Sequence, residues 1–266
     1  MTDVFAAESA PRVNPLSYPG AWPASSVVIT HDALRAVDSL EDVDLTARAP
    51  VLAIGSNAAP SQLRHKFATV RQPFEIVSMA ARVSGYVTGY CAFVAPYGYV
   101  PATIVASPGA WGPMALQFLT DVELAEIDAT EAPWYKRVWI EAEIRLDTGE
   151  LLAGAYAYVA RGGYLADAAG PWLMRVPEGE LVVGGTHVPD QRSLFERLTP
   201  DPLFSEALGT CGGDPRTSAR AMRRAGVVCD VNPLYDLPDE VGSNPRRIVV
   251  RERAVVLEDA VVDPVQ

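Results

Sequence analysis

The segment Pro50-Val-Leu-Ala-Ile-Gly-Ser-Asn57 joins a short apolar run to a loop of small and polar residues. An apolar run that stops abruptly at Gly-Ser-Asn is typical of a buried strand that ends in a tight loop. Pro60 follows, near the start of a helical segment that we predict over residues 60–70. A strand, a loop and a helix N-terminus in this order present free backbone N–H groups, which suit a carboxylate or a developing oxyanion. Gly55, Ser56 and Asn57 are therefore candidate binding residues, although an ordinary strand-to-helix turn with an Asn cap would also explain them.

The composition is that of a globular protein and argues against several classes of function. Of the 266 residues, 49% are hydrophobic and 21% are charged, which is ample for a core. The formal net charge is -11 and no block of Lys and Arg stands out, so we expect no nucleic-acid partner and no anionic membrane surface. The N-terminus lacks a signal-peptide pattern and no apolar run is long enough to cross a bilayer. We expect a soluble, cytoplasmic protein.

The cysteines and histidines show no spacing that is typical of a metal site or of a disulfide framework. They are few and widely scattered: Cys91, Cys211, Cys229, His31, His65 and His187. We therefore expect reduced thiols, no bound metal and no organic cofactor.

Apolar and turn patterns predict a β-rich region between residues 74 and 159. Strands are expected over 74–94 (one long or two short, with bends at Gly85 and Gly89), 101–106, 114–118, 136–146 and 150–159, with turns at 97–99, 107–113 and 147–149. Thr120 and Glu123 form a capping box that opens a helix, and Pro133 ends it. Because strands and helices do not alternate strictly, a mixed sheet or barrel is expected rather than a doubly wound parallel sheet.

The flanking regions are less regular. Residues 1–30 are rich in Pro, Ser and Ala and suggest an extended arm that Tyr18 and Trp22 anchor, or alternatively a disordered tail. Residues 32–45 suggest one short helix and a loop. Beyond residue 160 the patterns suggest a strand over 180–183, helices over 191–198 and 215–225, and a late strand over 247–257.

Five short pieces in order resemble the gamma-glutamylcyclotransferase-like family over roughly residues 50–160. They are Ile54-Gly-Ser-Asn57, Gly85-Tyr86, Ala102-Thr-Ile104, Ile127-Asp-Ala-Thr-Glu131 and Tyr135-Lys-Arg137. The resemblance implies an α+β fold, a small mixed β-barrel with peripheral helices, over residues 50–160. Residues 1–49 would then be an N-terminal arm with a short helix, and residues 161–266 a C-terminal extension packed on the core. The chain departs from the family at Ile54, where the family has a Tyr.

The resemblance also implies an activity and a set of site residues. Glu131 would be the general acid/base in the conversion of a γ-glutamyl amide or dipeptide to 5-oxoproline and a free amine. In that reaction the α-amino group of the substrate attacks its own γ-carbonyl and closes a five-membered lactam, so positioning supplies much of the acceleration. Ile54, Gly55, Ser56, Asn57 and Tyr135 would bind this small-molecule substrate, and no cofactor is implied. The sequence does not predict an oligomeric state.

Two other classes of function stay open. A non-catalytic module that binds a small molecule or a protein on the same fold is favoured by Ile54 and by the long C-terminal addition. A hydrolase or amidotransferase-like enzyme acting on another small amide is the third option. Without the resemblance, Glu131 would be explained as a solvated carboxylate at a helix end, and Asp128 as a structural residue that caps the helix or pairs with Arg137. An active enzyme requires Glu131 to face residues 55–57 across an open pocket, whereas a module can have an apolar plug there.

Overall fold

The computed structural model describes residues 4–6, 9–68, 73–175, 185–200, 202, 215–229, 232–251 and 254–258. Its helices are α1 (Pro60–Phe67), α2 (Asp121–Glu131), α3 (Gln191–Leu198) and α4 (Pro215–Arg224). Its strands are β1 (Val27–Ile29), β2 (Leu34–Ala36), β3 (Ala49–Ala53), β4 (Ile76–Tyr90), β5 (Ala102–Leu119), β6 (Tyr135–Leu146), β7 (Leu151–Ala160), β8 (Tyr164–Asp167), β9 (Gly170–Met174), β10 (Thr186–Val188), β11 (Val228–Cys229), β12 (Arg247–Arg251) and β13 (Ala254–Glu258).

Five of the strands close a small mixed barrel. They are hydrogen-bonded in the order β4-β5-β3-β7-β6, and β6 pairs again with β4 through residues 144–146 against residues 81–83. Neighbours are antiparallel except β3 and β7, which run parallel where Val51 lies beside Tyr156. The pairing of β6 with β4 closes the barrel at this point. The predicted fold class, an α+β mixed barrel with peripheral helices, is confirmed.

Alternate side chains of the barrel strands form two apolar clusters, because successive residues of a strand point to opposite faces. The larger cluster gathers one face of the strands, including Leu52, Met79, Leu116, Val138 and Ala157. The opposite face packs with the two helices that follow β3 and β5, through side chains that include Leu63, Phe67, Leu124, Ile127 and Tyr158. This packing holds the C-terminal end of α2 close to α1.

The two long strands differ from their prediction in instructive ways. Residues 74–94 contain one strand, β4, with an irregular register at Gly85, whose φ of 81° explains the glycine. The expected bend at Gly89 is absent, since Gly89 stays paired with Thr103. Glycine suits residue 89 for another reason, because a Cβ there would lie 2.9 Å from Val105 Cγ2 and one of the two would have to shift.

The prediction of two strands separated by a turn over residues 101–118 was wrong. β5 is continuous from Ala102 to Leu119. Its partners on β4 jump from Tyr86, opposite Ala106, to Ser84, opposite Trp111, so residues 107–110 bulge out of the ladder. The Pro and Gly residues that signal a turn produce this bulge, and the ladder resumes after it because both flanks are apolar.

The predicted hairpin turn between β6 and β7 is confirmed, with Gly149 at φ 102°. Residues 32–45 contain the predicted short helix as a 3₁₀ helix over Leu40–Asp42. They also contain the strand β2, which was not predicted and which forms because it pairs with β1, itself paired with β4. The predicted strand over 180–183 lies outside the described residues.

The C-terminal region contains more strands than the sequence patterns indicated. The helices expected over 191–198 and 215–225 are confirmed as α3 and α4. The single late strand over 247–257 is corrected to an antiparallel pair, β12 and β13. The strands β8 to β11 were not predicted, since each is too short to show a period. Trp172, Leu194, Met222 and Leu234 belong to the same apolar cluster as the barrel strands.

Candidate active site

The segment after β3 has the strand, loop and helix order that the sequence predicts. β3 ends at Ala53, a 3₁₀ turn covers Ser56–Ala58, and α1 begins at Pro60. The N–H groups of Ser56 and Asn57 are the first of their turn and have no partner within it. The residue that precedes α1 is Ala59 and makes no side-chain cap, so an Asn cap does not explain Asn57.

A cavity of about 200 Å³ lies beside this loop. The residues proposed from the sequence all line it: Ile54, Gly55, Ser56, Asn57, Glu131 and Tyr135. They come from the loop after β3, the last turn of α2 and the first residue of β6, so folding brings together residues as distant in sequence as Ile54 and Tyr135. Their catalytic and binding roles stay predictions.

Glu131 is held by two side chains and is not simply a solvated carboxylate. Its Oε1 accepts hydrogen bonds from Lys66 Nζ at 2.6 Å and from Asn57 Nδ2 at 3.2 Å. The side chains of Lys66 and Glu131 are only 7% and 18% exposed. Within the described residues, no hydrogen bond reaches Oε2 of Glu131. One carboxylate oxygen is thus fixed by the protein, and the other is left for a ligand.

Two further acceptors at the cavity lack a partner. Asn57 Oδ1 and Gln62 Oε1 are both buried and make no hydrogen bond within the described part of the chain. Asn57 is itself held by Gln117, whose Nε2 donates to the Asn57 carbonyl at 2.9 Å. Because buried polar atoms are normally satisfied, these two acceptors stand out among the residues that line the cavity.

Tyr135 forms part of the cavity wall rather than a free donor. It is 6% exposed, and its hydroxyl donates to the Ala102 carbonyl at 3.0 Å. Burial raises the pKa of Tyr135 well above its ordinary value of 10.0, with the neighbouring Cys91 adding to the effect. The phenol is therefore neutral at physiological pH and offers a ligand mainly its ring.

Asp128 has the structural role that the sequence suggested. Its Oδ2 lies 3.2 Å from Arg137 Nη1, and its Oδ1 accepts a hydrogen bond from the Tyr158 hydroxyl at 2.6 Å. Arg137 is 1% exposed and lies over the ring of Tyr156. In the Ile127-Asp-Ala-Thr-Glu131 segment, one carboxylate therefore ties α2 to the barrel strands and the other faces the cavity.

The cavity-lining residues that sequence reasoning missed include Arg12, Tyr18, Gln62 and Lys66. Gln62 and Lys66 are four residues apart on α1, a spacing that places both on one side of a helix and that the sequence shows. Tyr18 was expected only to anchor the arm. The sequence has no local signal that brings Arg12 or Tyr18 to this cavity.

The described residues contain neither a helix that could span a membrane nor a cluster of metal ligands. None of the described helices has the length and apolar character needed to cross a bilayer. No group of three His, Cys, Asp or Glu side chains in the described ranges is close enough to hold a metal ion.

Comparison with known proteins finds similarity only among solved structures. No protein-family model and no curated protein matches the chain. A gamma-glutamyl cyclotransferase is 15% identical at a TM-score of 0.33, over 42% of this chain and 66% of that chain. An Arabidopsis thaliana protein solved in solution is 23% identical at a TM-score of 0.32, over 42% of this chain and 62% of its own. A second Arabidopsis thaliana protein is 19% identical at a TM-score of 0.35, over 65% and 97%.

The matched region spans less than two thirds of the first two of these structures. Identities and TM-scores this low assign no activity. The fold class rests on the barrel itself, and the function must be argued from the site.

Proposed function

We propose that the protein is a gamma-glutamylcyclotransferase-like enzyme that converts a γ-glutamyl amide or dipeptide to 5-oxoproline and a free amine. One observation carries the proposal. The Glu131 carboxylate and the Gly55-Ser56-Asn57 loop line one cavity, and Oε2 of Glu131 has no hydrogen bond within the described residues.

The acceptors of the cavity suit the ammonium group of a γ-glutamyl compound. An ammonium has three N–H donors, and Glu131 Oε2 would accept the first of them. Asn57 and Gln62 line the same cavity, and each carries a side-chain oxygen that has no partner within the described residues and that a small side-chain rotation would turn towards such a ligand. A charge-assisted hydrogen bond to the carboxylate is stronger than one between neutral groups, so Glu131 would dominate the binding of this ammonium. The same contact would place the proton to be removed next to its base.

The chemistry then needs one carboxylate that works twice. Glu131 takes a proton from the ammonium, and the freed amine attacks the γ-carbonyl carbon, whose π electrons move to oxygen. Glu131 returns this proton to the departing nitrogen, and the bond from the carbonyl carbon to that nitrogen breaks as the intermediate collapses. Glu131 then takes the second proton from the attacking nitrogen, which becomes the lactam N–H, and passes it to the released amine. The attacking nitrogen loses two protons in all and the departing amine gains two as it leaves as an ammonium, so no proton is consumed. Because the attack is intramolecular, orientation replaces a bimolecular encounter.

Two features of the site would assist this reaction. The N–H groups of Ser56 and Asn57 can donate to the oxygen that becomes negative, as oxyanion donors do in acyl transfer. Lys66 fixes Oε1 of Glu131 at 2.6 Å and balances its charge, which holds the carboxylate in one orientation. Lys66 is thus a positioning residue in this proposal.

The test is the Glu131→Gln variant, assayed for release of 5-oxoproline from a panel of γ-glutamyl dipeptides and amines. The amide is close in size to the carboxylate but cannot take the ammonium proton, so we expect turnover to fall by about a hundred- to ten-thousand-fold. Glu126→Gln is the matched control, because Glu126 lies on the same helix and outside the cavity lining. Near-wild-type release by Glu131→Gln, from a substrate that wild type turns over, would show that the assigned mechanism is wrong.

A non-catalytic binding module remains the second candidate, and the same ion pair favours it. Lys66 already neutralises Glu131 when no ligand is bound, as a structural pair would. The module predicts that wild type binds γ-glutamyl-alanine in a calorimetric titration but releases no 5-oxoproline from any member of the panel. The enzyme predicts both binding and release.

A further inference from the structure

The N-terminal arm, residues 9–22, builds one wall of the cavity. Tyr18 is 5% exposed and its ring stacks on that of Tyr99, with centroids 4.5 Å apart and planes at 22°. Arg12 lies over the ring of Tyr97 at 4.5 Å, and Arg12, Tyr18, Tyr97 and Tyr99 all line the cavity. Gly20 allows this segment to pack closely against Ala59, since its φ is 87° and a Cβ there would lie 2.8 Å from Ala59 Cβ.

The Tyr18 hydroxyl lies against the Gly55-Ser56-Asn57 loop. Its oxygen accepts the Ala102 N–H at 2.7 Å, and it occupies the space that a Cβ at residue 55 would need. Within the described residues the hydroxyl proton has no acceptor, so it is available to a ligand. Burial raises the pKa of Tyr18 well above 10.0, with a smaller contribution from Tyr99, which keeps the phenol neutral and able to donate.

We propose that Tyr18 is a further ligand-binding residue, whose hydroxyl donates a hydrogen bond to the γ-carbonyl oxygen beside the N–H groups of Ser56 and Asn57. This inference rests on the proposed function and adds to it a donor from outside the barrel. Position 54, which leads into the loop, is an isoleucine and has no polar group to contribute. The hydroxyl at this end of β3 comes instead from a segment 36 residues earlier in the chain.

The rigidity of Tyr18 suits a donor that must be in place before the reaction. Its ring is fixed by the stack on Tyr99, and its oxygen is fixed by Ala102. A donor that needs no reorganisation stabilises developing charge more effectively than one that must move. The effect should therefore appear in kcat more than in KM, because the charge on the oxygen develops only in the transition state.

The test compares Tyr18→Phe with Tyr90→Phe in the full-length protein. Both variants lose a buried hydroxyl, but that of Tyr90 donates to the Val188 carbonyl at 3.3 Å, and Tyr90 does not line the cavity. We expect Tyr18→Phe to lower kcat by about a hundredfold, the size found for one oxyanion donor, with KM changed much less. Tyr90→Phe should keep the wild-type kcat. Thermal melts would check that both variants are folded. We expect them to fold, because each keeps its aromatic ring.

Two readouts separate the failure of this inference from the failure of the proposed function. Turnover is followed by 5-oxoproline release, and binding by calorimetric titration with γ-glutamyl-alanine. Wild-type kcat in folded Tyr18→Phe overturns the role of Tyr18 alone. If wild type binds γ-glutamyl-alanine without turnover, the proposed reaction fails, and the role of Tyr18 is then judged from binding affinity. An affinity about tenfold or more weaker in Tyr18→Phe supports that role, and an unchanged affinity overturns it. A wild type that binds no γ-glutamyl-alanine and releases no 5-oxoproline overturns both.

Discussion

Replacing Asp128 with Asn should destabilise the protein strongly, because it removes the charge opposite a buried guanidinium. Arg137 is 1% exposed in its side chain and Asp128 is 12% exposed, so solvent screens the pair little. Loss of one partner of a buried ion pair costs about 3–5 kcal/mol. The Nη1–Oδ2 contact at 3.2 Å is a charge contact rather than a well-aligned hydrogen bond, since Nε and Nη1 of Arg137 have no hydrogen-bond partner within the described residues. We therefore expect the lower end, about 3 kcal/mol.

For a chain of this size, 1 kcal/mol shifts the melting temperature by about 2–4 °C, so Asp128→Asn should melt roughly 6–12 °C below wild type. The assay is thermal unfolding followed by circular dichroism, together with urea unfolding at one temperature. Tyr158→Phe is the matched comparison, because it removes the 2.6 Å hydrogen bond to Asp128 and keeps the ion pair. It should cost about 1.5 kcal/mol, the low end for a hydrogen bond to a charged group. A loss below about 2 °C in Asp128→Asn, or a larger loss in Tyr158→Phe, would refute the reasoning.

Two further predictions concern the cavity. Gly55→Ala should lower the free energy of unfolding by about 1–3 kcal/mol in urea and reduce turnover, since the new Cβ overlaps the Tyr18 hydroxyl and lies 3.2 Å from Ala102 Cβ. Unchanged stability and turnover would show that the segment carrying Tyr18 can move aside at no energetic cost. Lys66→Met should reduce turnover by about 10- to 100-fold in the 5-oxoproline assay, because Glu131 loses the 2.6 Å contact that orients it. KM should fall at the same time, since the positive charge of Lys66 no longer repels a ligand ammonium at Glu131 Oε2, and a raised KM would contradict this account.

The parts of the fold that could be predicted from the sequence are those that local patterns determine. Thr120 and Glu123 predict the start of α2 as a capping box, and both hydrogen bonds of that box are present. The Gly149 turn and the apolar run into Gly55 are equally local. Local turn signals misled over residues 107–113, because pairing with β4 on both sides kept β5 continuous through Pro108 and Gly109.

The candidate site divides in the same way. Asn57 and Glu131 were selected from short motifs, and their contact shows that two local patterns can converge on one place. The contact of Lys66 with Glu131 depends on how α1 packs beside α2, and the sequence alone does not predict that packing. Tyr18 depends on the path of an irregular arm, held by Gly20 and by stacking on Tyr99, and no periodicity encodes such a path.

One wall of the cavity comes from residues 9–22, and this has a consequence for comparing the sequences of proteins that share the barrel. The barrel begins at β3, so Arg12 and Tyr18 lie before its first strand and yet line its cavity. Two proteins with interchangeable barrels can therefore differ in ligand preference through their leading segments alone. An alignment that starts at the first barrel strand compares only the barrels and omits the residues before β3 that line the cavity. Grafting residues 9–22 between such proteins would transfer that preference while the barrel sequence stays constant.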